Sequence, residues 1–302
     1  MSHRLLSIII PVRNGGSPLA DLLGSLSTLT LPTGWEKEVV VGYQPSRDDT
    51  LETLRASGAK IVFDNSTGPS SNRNAAAREA KGELFYFIDA DACPDRLDLL
   101  ERLIEAAEQT QDLGACGGPI LLHPMQSWNP IAIADHLACW FLWHPHRPSG
   151  PSFFQPGGSI LVPRTVFEKV GGFNESVYVF EDYEFEQRIQ KIGYGIYFEQ
   201  AAPITHWARA TICSTVRHSW RWGLPVRQTY LNTLPGQRFA FQHRPGLFWI
   251  NLPLIYLNRM RLMLPQCWRH SKVQTIYSFP FLALTVLVWA AAVSFGRGQP
   301  PP

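Results

Sequence analysis

The strongest constraint on the fold is a five-residue apolar run, Leu84 to Ile88 (LFYFI), that stops abruptly at Asp89-Ala-Asp91. A strand without a polar face must be covered on both sides, so it belongs at the centre of a sheet. Similar runs precede it: Ser7–Val12 (SIIIPV), Glu38–Val41 and Lys60–Phe63 read as strands. Helical patterns fill the gaps. Ser17 and Pro18 open a helix carrying Leu19, Leu22, Leu23 and Leu26, Asp48 and Asp49 cap a short one around Leu51 and Leu54, and Ser70–Lys81 stops at Gly82. After the acidic pair, Pro94 starts a long amphipathic helix with Leu97, Leu100, Leu103, Ile104 and Ala107 on one stripe. Strands alternating with helices predict an α/β fold, a mostly parallel sheet flanked by helices, with its ligand site beyond the carboxyl ends of the strands. Asp89 stands at that edge.

The pattern loosens between Cys116 and Phe154, where Trp- and Pro-rich stretches such as WNPIAIADHLACWFLWHP suggest no chemistry. It recovers with a strand at Ser159–Val162, a helix over Pro163–Val170, a Gly171-Gly172 turn, a helix from Glu181 and Asp182 to Gly193, and a last strand at Tyr194–Phe198. With 45% apolar residues the 302-residue chain can fill a core, and a net charge of +2 gives no general reason to bind nucleic acid. The five cysteines are scattered without a CxxC pair, which argues against a disulfide framework or a zinc site and fits a reducing compartment. The N-terminus runs straight into a strand without a signal peptide's apolar core, so the first domain is expected to stay cytoplasmic.

Two carboxylates one residue apart at a strand-to-helix junction can converge on a hard divalent ion such as Mg²⁺ or Mn²⁺, leaving its other positions to phosphate and water. The plain alternative makes Asp91 a helix cap and Asp89 a solvated strand end, and spacing alone does not choose. Glu181 and Asp182 are open in the same way. A carboxylate at a helix start in a cleft can take a proton from a hydroxyl. Acids in a first turn also simply complement the helix dipole, worth about 0.3–1 kcal/mol. Arg73 and Arg78 suit a solvated helix face equally well.

The order of the blocks adds weight to the functional side. SIIIPVRN, EVVVGYQPSRDDT, GPSSNRNAAAREAKGE, FYFIDADACP, FFQPGGSILVPRTVFEKVGGFNE and EDYEFEQRIQKIGYGI together resemble the inverting nucleotide-sugar glycosyltransferases of family 2, across about residues 5–210. The resemblance implies a GT-A fold, a nucleotide-sugar donor and a divalent metal. It implies that Pro11, Val12 and Arg13 surround the nucleotide base, that Arg73 lies near the donor, that Asp91 supported by Asp89 holds the metal, and that Asp182 of the Glu181-Asp182 pair is the general base. Family members carry an acidic pair at the end of the second strand, where this chain has Gly42-Tyr43-Gln44. Tyr43 is then expected to stack on the base and Gln44 to hydrogen-bond it, and uridine is not implied. More loosely, His206 and the run Arg217-His218-Ser219-Trp220-Arg221-Trp222-Gly223 resemble the family's trailing histidine and its basic, Trp-containing element. Trp220 and Trp222 would stack on sugar or acceptor, with Arg217 and Arg221 facing phosphate. A membrane-surface helix with snorkelling arginines accounts for the same residues.

Ile276–Phe295 is a stretch without a charge, long enough to cross about 30 Å of hydrocarbon. Arg259, Arg261, Arg269, His270 and Lys272 before it outweigh Arg297 after it, which places the preceding domain on the cytoplasmic face of the inner (plasma) membrane. Leu247–Leu264 is apolar but interrupted by Asn251, Pro253, Asn258, Arg259 and Arg261, the pattern of an interfacial helix. The expected organisation is a catalytic domain over 1–223, an amphipathic membrane-proximal segment over 224–272, and a transmembrane helix with a short tail over 273–302. Such anchoring points to a lipid-linked or membrane-proximal glycan acceptor in cell-surface polysaccharide synthesis. The competing reading is a non-catalytic, membrane-tethered module binding sugar or polyprenyl phosphate. A nucleotidyltransferase fits less well, because Arg13-Asn14-Gly15-Gly16 is a thin version of a Gly-rich phosphate loop.

Overall fold

The computed structural model describes residues 4–66, 68–226 and 248–295. In chain order its elements begin β1 (Arg4–Val12), α1 (Gly16–Thr28), β2 (Trp35–Tyr43), α2 (Thr50–Ser57), β3 (Lys60–Phe63), α3 (Pro69–Glu79), β4 (Leu84–Ile88), β5 (Ala92–Pro94), α4 (Leu99–Gln109) and β6 (Leu113–Gly117). They continue β7 (Ile120–Leu122), α5 (Pro130–Trp140), β8 (Gly150–Ser152), β9 (Ser159–Pro163), α6 (Arg164–Val170), α7 (Glu181–Lys191), β10 (Gly195–Phe198), β11 (Ile204–His206), α8 (Ile212–Gly223), α9 (Phe248–His270) and α10 (Lys272–Phe295). Two compact units result: the described residues up to Pro119 with Pro148–His206, and Ile120–Arg147 with those from Trp207 onward.

The first unit is built on an eight-stranded sheet ordered β3-β2-β1-β4-β9-β6-β10-β8. β3, β2, β1 and β4 run parallel, β9 is antiparallel between β4 and β6, and β8 closes the edge antiparallel to β10. The apolar run is central, as expected, with all of Leu84–Ile88 buried. Phe85 and Phe87 meet Phe167 and Phe173 at ring-centroid distances of 5.2 to 5.5 Å, and Phe173 stacks on Phe185 at 4.3 Å. Each buried ring contributes roughly 1.5–3 kcal/mol. This cluster fixes where α7 can start, because Phe185 sits one turn past Glu181. Asn74 adds a second tie, donating to Phe173 O and accepting from Phe173 N, both at 2.9 Å.

Several boundaries differ from the sequence reading. Pro94 ends a short strand rather than opening a helix, because β5 pairs antiparallel with β11 in the register His206 opposite Ala92. β10 is therefore not the last strand. The stretch between Cys116 and Phe154 contains α5, whose start is set by Asn129: its Oδ1 accepts from Ile131 N at 2.9 Å and Ala132 N at 3.2 Å, with Pro130 in the first turn. Ahead of α2 the capping carboxylate is Asp48, which accepts from Thr50 N and Thr50 Oγ1.

In the second unit, α5, α9 and α10 share a core of Ile133, Leu137, Phe141, Met260, Met263, Cys267, Leu282 and Val286. α10 is long and apolar enough to cross a membrane. α9 runs unbroken through Pro253 and Pro265. Of the polar residues expected to interrupt it, Asn251 and Arg259 turn inward, Asn258 is half-buried and Arg261 is exposed. Asn251 is buried, and the Arg259 guanidinium lies 4.6 Å from the Phe141 ring and 4.7 Å from the Trp289 ring while donating to Ala138 O at 3.0 Å. Trp249, Ile250, Leu254, Leu257 and Leu262 are exposed instead. Asp135, Cys139 and His218 bring their ligand atoms within 4.8 Å of one another. Arg209 N–H and His218 Nδ1 both reach the Asp135 carboxylate, at 3.1 and 3.2 Å, which makes this group a tie between α5, α8 and the residues before α8. Residues 227–247 of the expected membrane-proximal segment, and the tail beyond Phe295 with Arg297, lie outside the described residues.

Candidate active site

β4 delivers Asp89 directly from its carboxyl end. Asp89 N–H donates to Gly158 O and its carbonyl accepts from Ala92 N–H, both at 3.1 Å, so the chain turns tightly and carries Asp91 around the corner. Arg73, on α3, is buried, and its fork spans two carboxylates: Nη2 donates to Asp89 Oδ1 and Nη1 to Glu181 Oε1, each at 2.7 Å. The two acidic motifs, far apart in sequence, thus meet on one guanidinium. Arg73 was expected near the donor, and its guanidinium bonds two of the site's own acids. Burial works against its charge, and the two carboxylates more than offset this, holding it above the ordinary arginine value.

Glu181 and Asp182 open α7 behind Phe180, which adopts φ +65°. A left-handed conformation at an aromatic residue costs roughly 1–2 kcal/mol, and such strain clusters at functional sites. Asp182 Oδ2 accepts from Gly157 N–H and Oδ1 from Tyr183 N–H, both at 2.8 Å. Burial pushes both carboxyls up. For Glu181 the neighbouring Asp182 adds to the rise while Arg73 opposes it, and for Asp182 the Gly157 N–H and Arg73 pull back. Gly157 and Gly158 permit the close approach. A Cβ at Gly157 would lie 2.9 Å from Asp182 Cβ, and one at Gly158 3.2 Å from Asp89 Oδ2. The sequence signal for this strap was present in QPGG before a strand, yet neither glycine was singled out.

The β5–β11 pairing sets His206 beside Asp91, with Nε2 3.3 Å from Asp91 Oδ1. The trailing histidine thus stands against the acid expected to hold the metal. Asp91 and His206 present a carboxylate and an imidazole, donor types that Mn²⁺ accepts, while Asp89 Oδ1 is engaged by Arg73 and the glycine at 158 leaves its Oδ2 uncrowded. These donor types suit the divalent ion that the fold family implies.

The residues expected around the base lie at the carboxyl ends of β1 and β2. Pro11 and Val12 are buried and Arg13 is exposed. Tyr43 and Gln44 are buried: the Tyr43 ring meets Phe63 edge-on at 5.5 Å and its hydroxyl accepts from Ser46 N–H, while Gln44 Nε2 donates to Ser66 O and Gly68 O. These groups shape the loop after β2 rather than present an open face to a base. In the second unit, Arg217 and Arg221 are exposed on α8. Trp222 packs 6.1 Å from Trp140 and 4.9 Å from His218, and Trp220 lies 6.1 Å from Phe295.

A largely parallel sheet with an acidic pair at the end of its central strand and a second pair at a helix start is the arrangement of a GT-A glycosyltransferase fold. The solved mannosyltransferase PcManGT from Pyrobaculum calidifontis, in complex with GDP-Man and Mn²⁺, matches it with a TM-score of 0.61 at 17% identity, over 96% of this chain and 86% of that one. The family model Glycosyl transferase family 2 matches residues 7–171, and the chain belongs to that family. The model Glycosyl transferase family 21 matches residues 149–293. The Pre-mycofactocin glycosyltransferase of Mycobacterium tuberculosis is 25% identical over 209 residues, 68% of this chain but 43% of that protein. The chain thus spans less than half of that relative's length. An Uncharacterized glycosyltransferase of Haemophilus influenzae is 23% identical over 250 residues, 78% of this chain and 80% of its own.

Proposed function

We propose that the chain is an inverting glycosyltransferase that moves a sugar from a nucleotide-sugar donor to a hydroxyl of a lipid-linked or membrane-proximal glycan acceptor. The observation that carries this reading is the convergence of Asp89 and Glu181 on Arg73, with Asp182 following Glu181 at the start of α7. Asp182 is the general base: burial raises its proton affinity, which suits it to accept the acceptor's proton. Gly157 N–H and Arg73 keep that carboxylate oriented and ionisable. Asp91, with Asp89 and His206, would hold a divalent ion, which supplies positive charge to the departing diphosphate. The Mn²⁺ and GDP-Man carried by PcManGT support a metal and a nucleotide sugar here.

The exposed apolar face of α9 beside α10 supports attachment to a bilayer, where lipid meets the outward Trp249, Leu254 and Leu257 and protein satisfies Asn251 and Arg259. Positive charge before α10 supports the cytoplasmic side of the inner membrane.

Calorimetric titration with UDP-glucose, UDP-N-acetylglucosamine and GDP-mannose tests the donor site. Wild type is expected to bind one of them in a Mn²⁺-dependent way, and Asp91→Ala to lose about 10–100-fold in that affinity. Equal binding by both proteins in EDTA would argue against the assignment.

The carboxyl shifts also fix a pH dependence. The Glu181–Asp182 pair titrates as a unit above the ordinary carboxylate value of about 4, so kcat/KM should climb through an acid limb that lies above that value. Stability moves the other way. The folded state binds these protons more tightly than the unfolded chain, so their contribution is complete below about pH 4 and is lost as pH rises through the raised values. Rate profiles and melting curves across that range check both signs.

A further inference from the structure

Glu186 lies one turn beyond Asp182 on α7 and is fully buried. Its Oε2 accepts from Gln155 N–H at 2.8 Å, and its Oε1 is buried with no hydrogen-bond partner among the described residues. Gln155 is equally buried and donates through Nε2 to Tyr197 O at 3.3 Å. From Gln155 the chain runs as a strap across the site. Gly157 N–H donates to Asp182, Gly158 O accepts from Asp89 N–H at 3.1 Å, and Ser159 Oγ bonds the Tyr86 hydroxyl at 2.9 Å. The strap therefore touches both the base and the first metal-side acid. β9 holds its far end, and Glu186 holds the near one.

We propose that Glu186 is a positioning residue for Asp182, acting through the Gln155–Ser159 strap. The inference rests on Asp182 being the base. A proton on Glu186 turns the partnerless oxygen into a hydroxyl and removes a second negative charge from the neighbourhood of Asp182. The surroundings favour that proton. On α7 itself Asp182 repels a second charge, and Arg188 is engaged by Glu184 and the carbonyls of Val170 and Gly172. On α6, Arg164 pairs with Glu168 and Lys169 sits over the Tyr194 ring, while β6 and β10 carry no charged side chain. Burial pushes the Glu186 carboxyl well above the usual range. Without this anchor, Gly157 N–H no longer stabilises ionised Asp182, so the base's proton affinity rises.

The test compares wild type, Glu186→Gln and Glu186→Leu with Mn²⁺ and whichever of UDP-glucose, UDP-N-acetylglucosamine or GDP-mannose binds best. Glu186→Gln is neutral and can still accept from Gln155 N–H. It should keep kcat within about threefold and leave the acid limb unmoved. Glu186→Leu should lose about 10–100-fold in kcat with donor KM within about threefold, and its acid limb should move to higher pH. Wild-type kcat and limb in Glu186→Leu overturn the proposal, as does a loss in Glu186→Gln equal to that in Glu186→Leu. Should Glu186→Leu fail to fold, a downward shift of the limb in Glu186→Gln also overturns it, because it reveals an ionised Glu186. Infrared difference spectra of wild type minus Glu186→Gln at pH 7 should contain the carbonyl stretch of a protonated carboxyl, and its absence counts against the proposal. If wild type turns over no donor, the transferase reading falls, while the infrared band still decides the state of Glu186.

Discussion

Asp182→Asn is expected to lower kcat about 100- to 10,000-fold, the range that loss of a positioned general base produces, and to leave nucleotide-sugar affinity within about threefold. The substitution is nearly isosteric. Its amide oxygen can still accept from Gly157 N–H, as Asp182 Oδ2 does at 2.8 Å, so the strap has no reason to move. What disappears is a group able to take the acceptor's proton. Steady-state kinetics paired with calorimetric donor titration separate these effects. Unchanged kcat would shift the assignment to Glu181, whose carboxylate is committed to Arg73.

Arg73→Met is expected to unsettle the whole site. Arg73 is the cation that bridges the two acidic motifs, with Glu181 and Asp89 side chains 12% and 31% exposed. Removing one partner from a buried ion pair costs about 3–5 kcal/mol. Water reaches Asp89, so its share is discounted and about 3 kcal/mol is the expected total. For a unit of this size that lowers Tm by about 6–12 °C. Arg73→Lys should recover only part of the loss, because a single ammonium cannot reproduce a planar fork spanning two carboxylates. Melting curves of the three proteins, with and without Mn²⁺, check the ranking Arg, then Lys, then Met.

Much of this architecture was legible in the sequence. LFYFI could only be a central strand, and the helix patterns around it left few topologies. The acidic pairs were visible as candidates. Their meeting was not: Arg73 stands 108 residues from Glu181 and 16 from Asp89, and its helix-surface pattern gave no sign of burial. The pairing of His206 with Asp91 was hidden for another reason, since β5 and β11 are three residues each, too short to show a period. In α9 the sequence shows that Asn251 and Arg259 interrupt an apolar run but not which way they face; both turn into the unit, whereas Trp249, Leu254 and Leu257 are exposed. Polarity alone does not say which side of a helix is wet when lipid, rather than water, can be the solvent. The partners of Gln44 were not legible either: loop carbonyls at Ser66 and Gly68 accept from its amide.

The central claim is single displacement at the anomeric carbon with Asp182 as base, and the anomeric configuration of the product tests it most directly. Proton NMR of the freshly formed product, with Mn²⁺ and the donor that titration identifies, should show a configuration opposite to that of the donor sugar, with the signal lost in Asp182→Asn. Retention of configuration, or undiminished product from Asp182→Asn, would contradict it.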